Sequence, residues 1–319
     1  MAKPGLYLIG KSAEKYCRTL SEAFELYVQS EIPDVDGFLT THGSEIAAIG
    51  TNGHDGVPAN LHDRCPNLKI ISCYGAGYDE IDAKTAHEHG VVVTHTPDVL
   101  NDEVANTALM LLLATSRDLI NNHDHVRSGS WETEGQPGLA VSIAGKTVGI
   151  VGLGRIGLAI ATKLQAFGVD IVYHSRNARD DVDFTYYSDL AKMAEDCWAL
   201  IIATPGGSST DKLVNEPVMQ ALGTDGILIN VARGSVVDEE AMIRLLSDGR
   251  LGKAGLDVFA NEPCVPVALR SMSNVVHTPH IGSATVETRD AMGKLMVDNL
   301  SQFMETGVAV SPVPECRNK

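Results

Sequence analysis

Three residues of complementary chemistry stand in three short segments late in the chain. Arg233 lies in Asn230-Val231-Ala232-Arg233-Gly234, Glu262 in Asn261-Glu262-Pro263, and His280 in Thr278-Pro279-His280-Ile281-Gly282-Ser283. A guanidinium is a rigid planar fork that can hold a carboxylate and polarise a neighbouring carbonyl oxygen. An imidazole exchanges protons near neutral pH and can supply one to a developing alkoxide. A carboxylate beside an imidazole orients the ring and favours its protonated form. Taken singly, a histidine is more often structural, and an arginine or glutamate a surface charge. Together, each just after a predicted strand, they suit the reduction of a 2-keto acid: a clamp, a proton donor and an orienting acid.

A hydride source is implied by Gly152-Leu153-Gly154-Arg155-Ile156-Gly157, which follows a strand pattern and opens a helix pattern. In that setting the three glycines serve a tight turn, close approach of a pyrophosphate, and close helix–strand packing, with phosphate at the helix N-terminus. Gly152, Gly154, Arg155, Ile156 and Gly157 are therefore expected to bind a dinucleotide. The next strand ends in Val172-Tyr173-His174-Ser175-Arg176, without the acidic residue that would accept from a ribose 2′-hydroxyl. Ser175 and Arg176 suit a 2′-phosphate instead, so NADPH is expected over NADH, with a solvated surface arginine as the plain alternative. Arg179 can assist, although Asp180, Asp181 and Asp183 follow it.

The elements that must position these residues form two alternating series. Leu6–Ile9, Gly37–Leu39, Ile46–Ile49, Leu68–Ser72 and Val91–Thr94 read as strands, with helical stretches at Tyr16–Leu26 and Asp79–Glu88. The second series has strands at Val148–Val151, Ile171–Tyr173, Leu200–Ala203, Gly226–Asn230, Ala254–Val258 and Asn274–His277, and a helix at Ile156–Phe167. Strand–helix alternation implies parallel βαβ units. A mostly apolar helix from Asp102 to about Asn121, capped by Asp102 or Asn101, separates the two series, followed by a polar loop or arm over Arg127–Leu139. An amphipathic helix at Arg289–Phe303 closes the chain. The fold class is α/β with two domains.

The 319 residues exceed what one core usually organises. With 44% hydrophobic and 21% charged residues, the composition is that of a globular protein. A net charge of −16 argues against nucleic acid and against anionic membrane surfaces as partners. Six scattered cysteines have neither metal-ligand nor disulfide-framework spacing, so free thiols in a reducing compartment and no metal are expected. No signal peptide is expected, and the run from Ala108 to Ala114 is too short to span a bilayer, which makes the cytoplasm the default.

Gly152–Gly157, Asn230–Gly234, Glu262-Pro263 and Thr278–Ser283 together resemble the D-isomer-specific 2-hydroxyacid dehydrogenase family, over nearly the whole chain. The resemblance implies a flavodoxin-like substrate domain from 1–98 and 286–319, a Rossmann-type NADP-binding domain over 99–285, a cleft between them that closes on substrate, and a homodimer. It implies Arg233, Glu262 and His280 as the catalytic set, with Arg233 and His280 also touching substrate. Ser72–Asp79 resembles the family's substrate-carboxylate loop, with the backbone N–H groups of Ala76 and Gly77 as an anion nest beside Tyr74 and Gly75. Asn52 and Gly53 are expected in the side-chain pocket. Thr107, Thr204, Asp257 and Gly282 complete the implied cofactor set. Trp131 is either a packed arm residue or one that reaches the partner's site.

Ser175-Arg176 and Tyr74–Gly77 are most similar to the glyoxylate/hydroxypyruvate reductase branch, which includes hydroxyphenylpyruvate reductase-like enzymes and reduces small keto acids. Glu262 argues against formate oxidation, whose enzymes carry Gln there. Phenylpyruvate-type or sugar-derived keto acids are alternative substrates. An NADP(H)-sensing regulator is the alternative of another class.

Overall fold

In the computed structural model, which describes residues 3–10 and 14–317, the chain forms two units. They comprise Met1–Leu100 with Thr285–Lys319, and Asn101–Ala284.

The first unit alternates β1 (Gly5–Leu8), α1 (Glu14–Ala23), β2 (Glu25–Val28), α2 (Val35–His42), β3 (Ile46–Asn52), α3 (Leu61–Arg64), β4 (Ile70–Tyr74), α4 (Ala83–Glu88) and β5 (Val92–Thr94). Its sheet runs β2-β1-β3-β4-β5, all parallel, which is the flavodoxin-like order. Leu6, Leu8, Ile49, Ile70 and Ile71 are fully buried. Burying such side chains, at about 1.5–3 kcal/mol each, drives the strands into a two-faced core.

The second unit begins with α5 (Asn101–Ser116), α6 (Leu119–Arg127) and α7 (Ser130–Glu134). It continues with β6 (Thr147–Val151), α8 (Arg155–Gln165), β7 (Asp170–His174), β8 (Thr185–Tyr187), α9 (Leu190–Asp196), β9 (Ala199–Ile202) and α10 (Glu216–Leu222). It ends with β10 (Ile227–Asn230), α11 (Glu239–Ser247), β11 (Lys253–Leu256), α12 (Val267–Ser271) and β12 (Val275–His277). The sheet order β12-β11-β10-β9-β6-β7-β8 is parallel throughout and is the Rossmann order with one added strand. The strand order reverses between β6 and β9, and sheets of this type bind ligands beyond the carboxyl ends of the strands at such a point. The chain then returns to the first unit as α13 (Val286–Thr306), capped by Thr285 and seated where Met296 fills the space beside Gly50.

Several local readings are corrected. Gly37–Leu39 is not a strand. Asp34 accepts the Gly37 N–H at 3.0 Å and starts helix α2, since a three-residue apolar run carries no period and the cap decides. The helix read through Leu26 stops at Ala23, and Glu25–Val28 forms an edge strand instead. The short edge strand Thr185–Tyr187 is a further element not foreseen. The helix read to about Asn121 ends at Ser116. Asp118 is left-handed (φ +53°), and Asn122 Nδ2 bonds the carbonyls of Arg117 and Asp118, so local amide bonds compete with the helix. Arg127–Leu139, read as a loop or arm, contains the short helix α7.

Candidate active site

The Gly152–Gly157 turn joins β6 to α8 at the switch point. Gly152 has φ +96°, and a Cβ there would lie 2.7 Å from Thr204 N, in the loop after β9. A Cβ on Gly157 would lie 2.1 Å from Gly152 O. Both glycines are thus demanded by the protein's own packing. Gly154 is not: nothing lies within 4 Å of where its Cβ would stand. That open space at the start of a helix without a side-chain cap leaves room for a phosphate, and the residues fit a dinucleotide.

At the end of β7, Ser175 Oγ donates to Asn177 O at 2.6 Å, and Arg176 is exposed. Among the described residues the Arg176 side chain makes no hydrogen bond or ion pair. Arg179, expected as a helper, is committed elsewhere. It grips Asp181 with Nε at 2.9 Å and Nη2 at 2.5 Å, and its Nη1 donates to Leu153 O at 2.7 Å. Its charge is neutralised and its role is to hold the glycine turn.

Loops from three adjacent strands of the same sheet carry Arg233, Glu262 and His280. After β10, the Asn230 side chain accepts from Ala232 N at 3.0 Å and donates to Arg233 O at 2.8 Å. This buried amide fixes the loop that presents Arg233, a role the sequence reading did not single out. Arg233 Nη1 also donates to Ala232 O at 2.9 Å. After β11, the Phe259 N–H donates to Glu262 Oε1 at 3.0 Å, and the other oxygen, Oε2, accepts from His280 Nδ1 at 2.7 Å. The ring presents its Nε2 edge, with the His280 side chain 43% exposed and Glu262 at 18%. The Arg233 and Glu262 loops touch closely: a Cβ on Gly234 would lie 1.9 Å from the Phe259 carbonyl carbon.

Asp257 sits under this set with 1% exposure. Its carboxylate accepts from Thr278 Oγ1 at 2.6 Å, Ile281 N at 2.8 Å and Gly282 N at 2.8 Å. Burial pushes its carboxyl upward, and these hydrogen bonds pull the other way. The expected cofactor residues Asp257 and Gly282 are thus bonded to each other, and they define the His280 loop. Thr107 is buried on α5.

In the first unit, Tyr74 and Asn52 are paired neighbours at the ends of β4 and β3. The Tyr74 hydroxyl donates to Arg289 O at 2.9 Å. The Asn52 amide is committed to its own turn, accepting from His54 N and Asp55 N at 2.9 Å and donating to Asp55 Oδ2 at 2.6 Å. These bonds shape the turn that follows β3. Gly75 faces the Gly53 backbone, 3.7 Å from its missing Cβ. Gly75, Ala76 and Gly77 follow directly after β4.

The model of the family described as D-isomer specific 2-hydroxyacid dehydrogenase, NAD binding domain, matches residues 109–282. A glyoxylate/hydroxypyruvate reductase A from Arabidopsis thaliana is 43% identical, covering 92% of this chain and 94% of that one. A hydroxyphenylpyruvate reductase from Plectranthus scutellarioides is 41% identical with the same coverage. A solved structure of an NADPH-dependent glyoxylate/hydroxypyruvate reductase from Sinorhizobium meliloti, in complex with NADP and malonate, superposes with a TM-score of 0.92. It is 46% identical and covers 100% of this chain and 99% of that one.

Proposed function

Since the chain belongs to the D-isomer specific 2-hydroxyacid dehydrogenase family, we propose that it uses NADPH to reduce glyoxylate or hydroxypyruvate to the 2-hydroxy acid. The observation that carries this reading is the 2.7 Å His280–Glu262 bond, on a loop next to that of Arg233 and on the same sheet edge as the glycine turn.

When bound, the nicotinamide supplies the hydride to the keto carbon. Arg233 holds the substrate and polarises its keto oxygen. His280 gives a proton from Nε2 to the oxygen as charge develops there, and is reprotonated from solvent. Glu262 keeps the ring oriented through its bond to Nδ1. The Ala76 and Gly77 N–H groups receive the substrate carboxylate. Arg176, unpaired among the described residues of a chain with net charge −16, receives the 2′-phosphate. The relative that binds NADP supports this cofactor.

A second reading keeps the chemistry and enlarges the substrate, favoured by the similarity to a hydroxyphenylpyruvate reductase. A homodimer also belongs to the proposal. Leu119, Ile120, Val126, Trp131 and Val141 form an exposed apolar series along α6, α7 and the following segment, suited to a second copy. Sedimentation at a dimer mass supports this, and a monomer at micromolar concentration rejects it. A cytoplasmic setting is inferred from cysteines that are all free thiols. Among the described residues, no helix is long and apolar enough to cross a membrane.

The deciding experiment follows nicotinamide absorbance with NADPH or NADH and glyoxylate, hydroxypyruvate, phenylpyruvate or a 2-keto sugar acid. Fast NADPH oxidation with the two small acids is expected. Preference for phenylpyruvate moves the substrate assignment to aromatic keto acids. Tight NADPH binding without turnover on any acid favours an NADP(H)-sensing regulator.

A further inference from the structure

We infer that His95 is a positioning residue that aims the Gly75–Ala76–Gly77 amides at the substrate carboxylate. The inference rests on the proposed carboxylate role of that loop. Strands β4 and β5 are parallel neighbours, so the residues just after β5 emerge beside the residues just after β4. Thr96 N donates to Gly75 O at 2.8 Å, and His95 Nδ1 lies 2.9 Å from Ala76 O. Because a carbonyl oxygen only accepts, His95 Nδ1 carries the hydrogen. The next carbonyl, Gly77 O, accepts from Cys73 Sγ at 3.4 Å.

A trans peptide points its C=O and its N–H in opposite directions. Fixing Gly75 O therefore turns the Ala76 N–H away from residues 95–96, and fixing Ala76 O does the same for the Gly77 N–H. Two successive amides pointing the same way form an anion-binding nest. The glycines that flank Ala76 leave these peptide planes free to rotate. A rotation of the Ala76–Gly77 plane would replace an N–H by a carbonyl oxygen and repel a carboxylate. Among the described residues, His95 Nδ1 is the side-chain donor that opposes that rotation.

His95 is itself rigidly placed, at 5% exposure. Its N–H donates to Ser311 O at 3.2 Å, and Ser311 Oγ donates to its carbonyl at 2.7 Å. Ser311 is in turn held by the fully buried Asn299, through bonds of 2.8 and 2.9 Å. The ring stands edge-on to Tyr78 at 5.3 Å, and the Tyr78 hydroxyl donates to Glu315 Oε2 at 3.0 Å. The C-terminal return thus braces the imidazole from its backbone and, through Tyr78, from its ring.

The test is steady-state kinetics of the full-length enzyme with saturating NADPH, on the keto acid that the turnover panel identifies. His95→Leu is expected to raise KM for the keto acid about tenfold, equivalent to about 1.4 kcal/mol, with a smaller change in kcat and NADPH affinity unchanged. His95→Asn, whose amide nitrogen takes the place of Nδ1, is expected to return KM to near the parent value. His95→Gln, whose donor sits farther out, is expected to leave it high. If His95→Leu does not fold, equal KM values for the Asn and Gln variants overturn the inference. Ala76→Pro, which deletes one nest N–H, separates the two levels. A raised KM in Ala76→Pro with an unchanged KM in His95→Leu overturns the role of His95 and leaves the nest standing. An unchanged KM in Ala76→Pro rejects the nest, and the role of His95 with it.

Discussion

Asp257 holds His280 by the backbone on both sides: its own carbonyl accepts the His280 N–H at 2.9 Å, and its buried carboxylate accepts the N–H groups of Ile281 and Gly282. His280 has φ +52°, in the left-handed region that a non-glycine residue rarely occupies. Surrounding bonds must over-determine such a conformation for it to persist. Asp257→Ala is expected to lose about 3 kcal/mol of stability and most turnover, as a buried acceptor of several bonds is removed. Denaturant unfolding and kcat check this; parent-like values in both would show that the loop needs no clamp.

The imidazole is oriented by Glu262 alone among the described bonds to its ring. His280→Ala should lower kcat by about 10²–10⁴-fold, the usual range for a proton donor. NADPH affinity, read by fluorescence titration, should hardly change. Glu262→Gln should lower kcat less, because the ring survives with a poorer partner. Near-parent turnover in His280→Ala would remove it from the proton-donor role.

Arg176 gives a direct test of cofactor choice. A guanidinium–phosphate pair is a charge-assisted, bidentate contact worth about 1.5–3 kcal/mol. Arg176→Ala should therefore weaken NADPH by that amount and leave NADH nearly unchanged. Equal losses for both cofactors would mean that the 2′-phosphate is held elsewhere.

Gly234 lets the Arg233 loop lie against the Phe259 backbone, where a Cβ would sit 1.9 Å from the carbonyl carbon. Backbone cannot yield as a flexible side chain does. Gly234→Ala should separate the Arg233 and Glu262 loops, costing about 1–3 kcal/mol as an overpacked site. Its kcat/KM should fall further than its melting temperature suggests. A variant with unaltered kinetics would show that this close approach is not needed for catalysis.

The Tyr78 hydroxyl is pushed up to about 12 by burial first, and then by the charge and hydrogen bond of Glu315. An unfolded tyrosine ionises near pH 10, at roughly its reference value. The folded chain therefore holds this proton more tightly. The stability linked to it is complete below about pH 10 and is lost as pH rises through the folded value. Melting temperatures between those limits should fall more steeply for the parent than for Tyr78→Phe. Parallel curves would show that Tyr78 does not contribute.

What the sequence determined by itself is local and periodic. The Gly152–Gly157 turn was legible because strand, turn and helix are contiguous, and each glycine has a separate steric or ligand-binding reason. The alternation of strands and helices announced parallel sheets, since βαβ units admit few other arrangements. Arg233, Glu262 and His280 could be nominated by chemistry and by their positions after strands. The bonds from Asn230 and Asp257 that fix their loops could not. That Asp34 caps a helix through the Gly37 N–H, that Asp118 ends one, and that Arg179 is neutralised by Asp181 all depend on side-chain geometry that no apolar period records.

Only the tertiary structure decided which distant groups meet. Parallel order β10-β11-β12 brings the Glu262 loop against both Gly234 and His280. The pairing of β4 with β5 sets His95 against Ala76, nineteen positions away in sequence. Such contacts form between segments whose local preferences are silent about each other. Their register is set by burying Ile70, Ile71 and Val93 on one sheet and Leu228, Ile229 and Leu256 on the other.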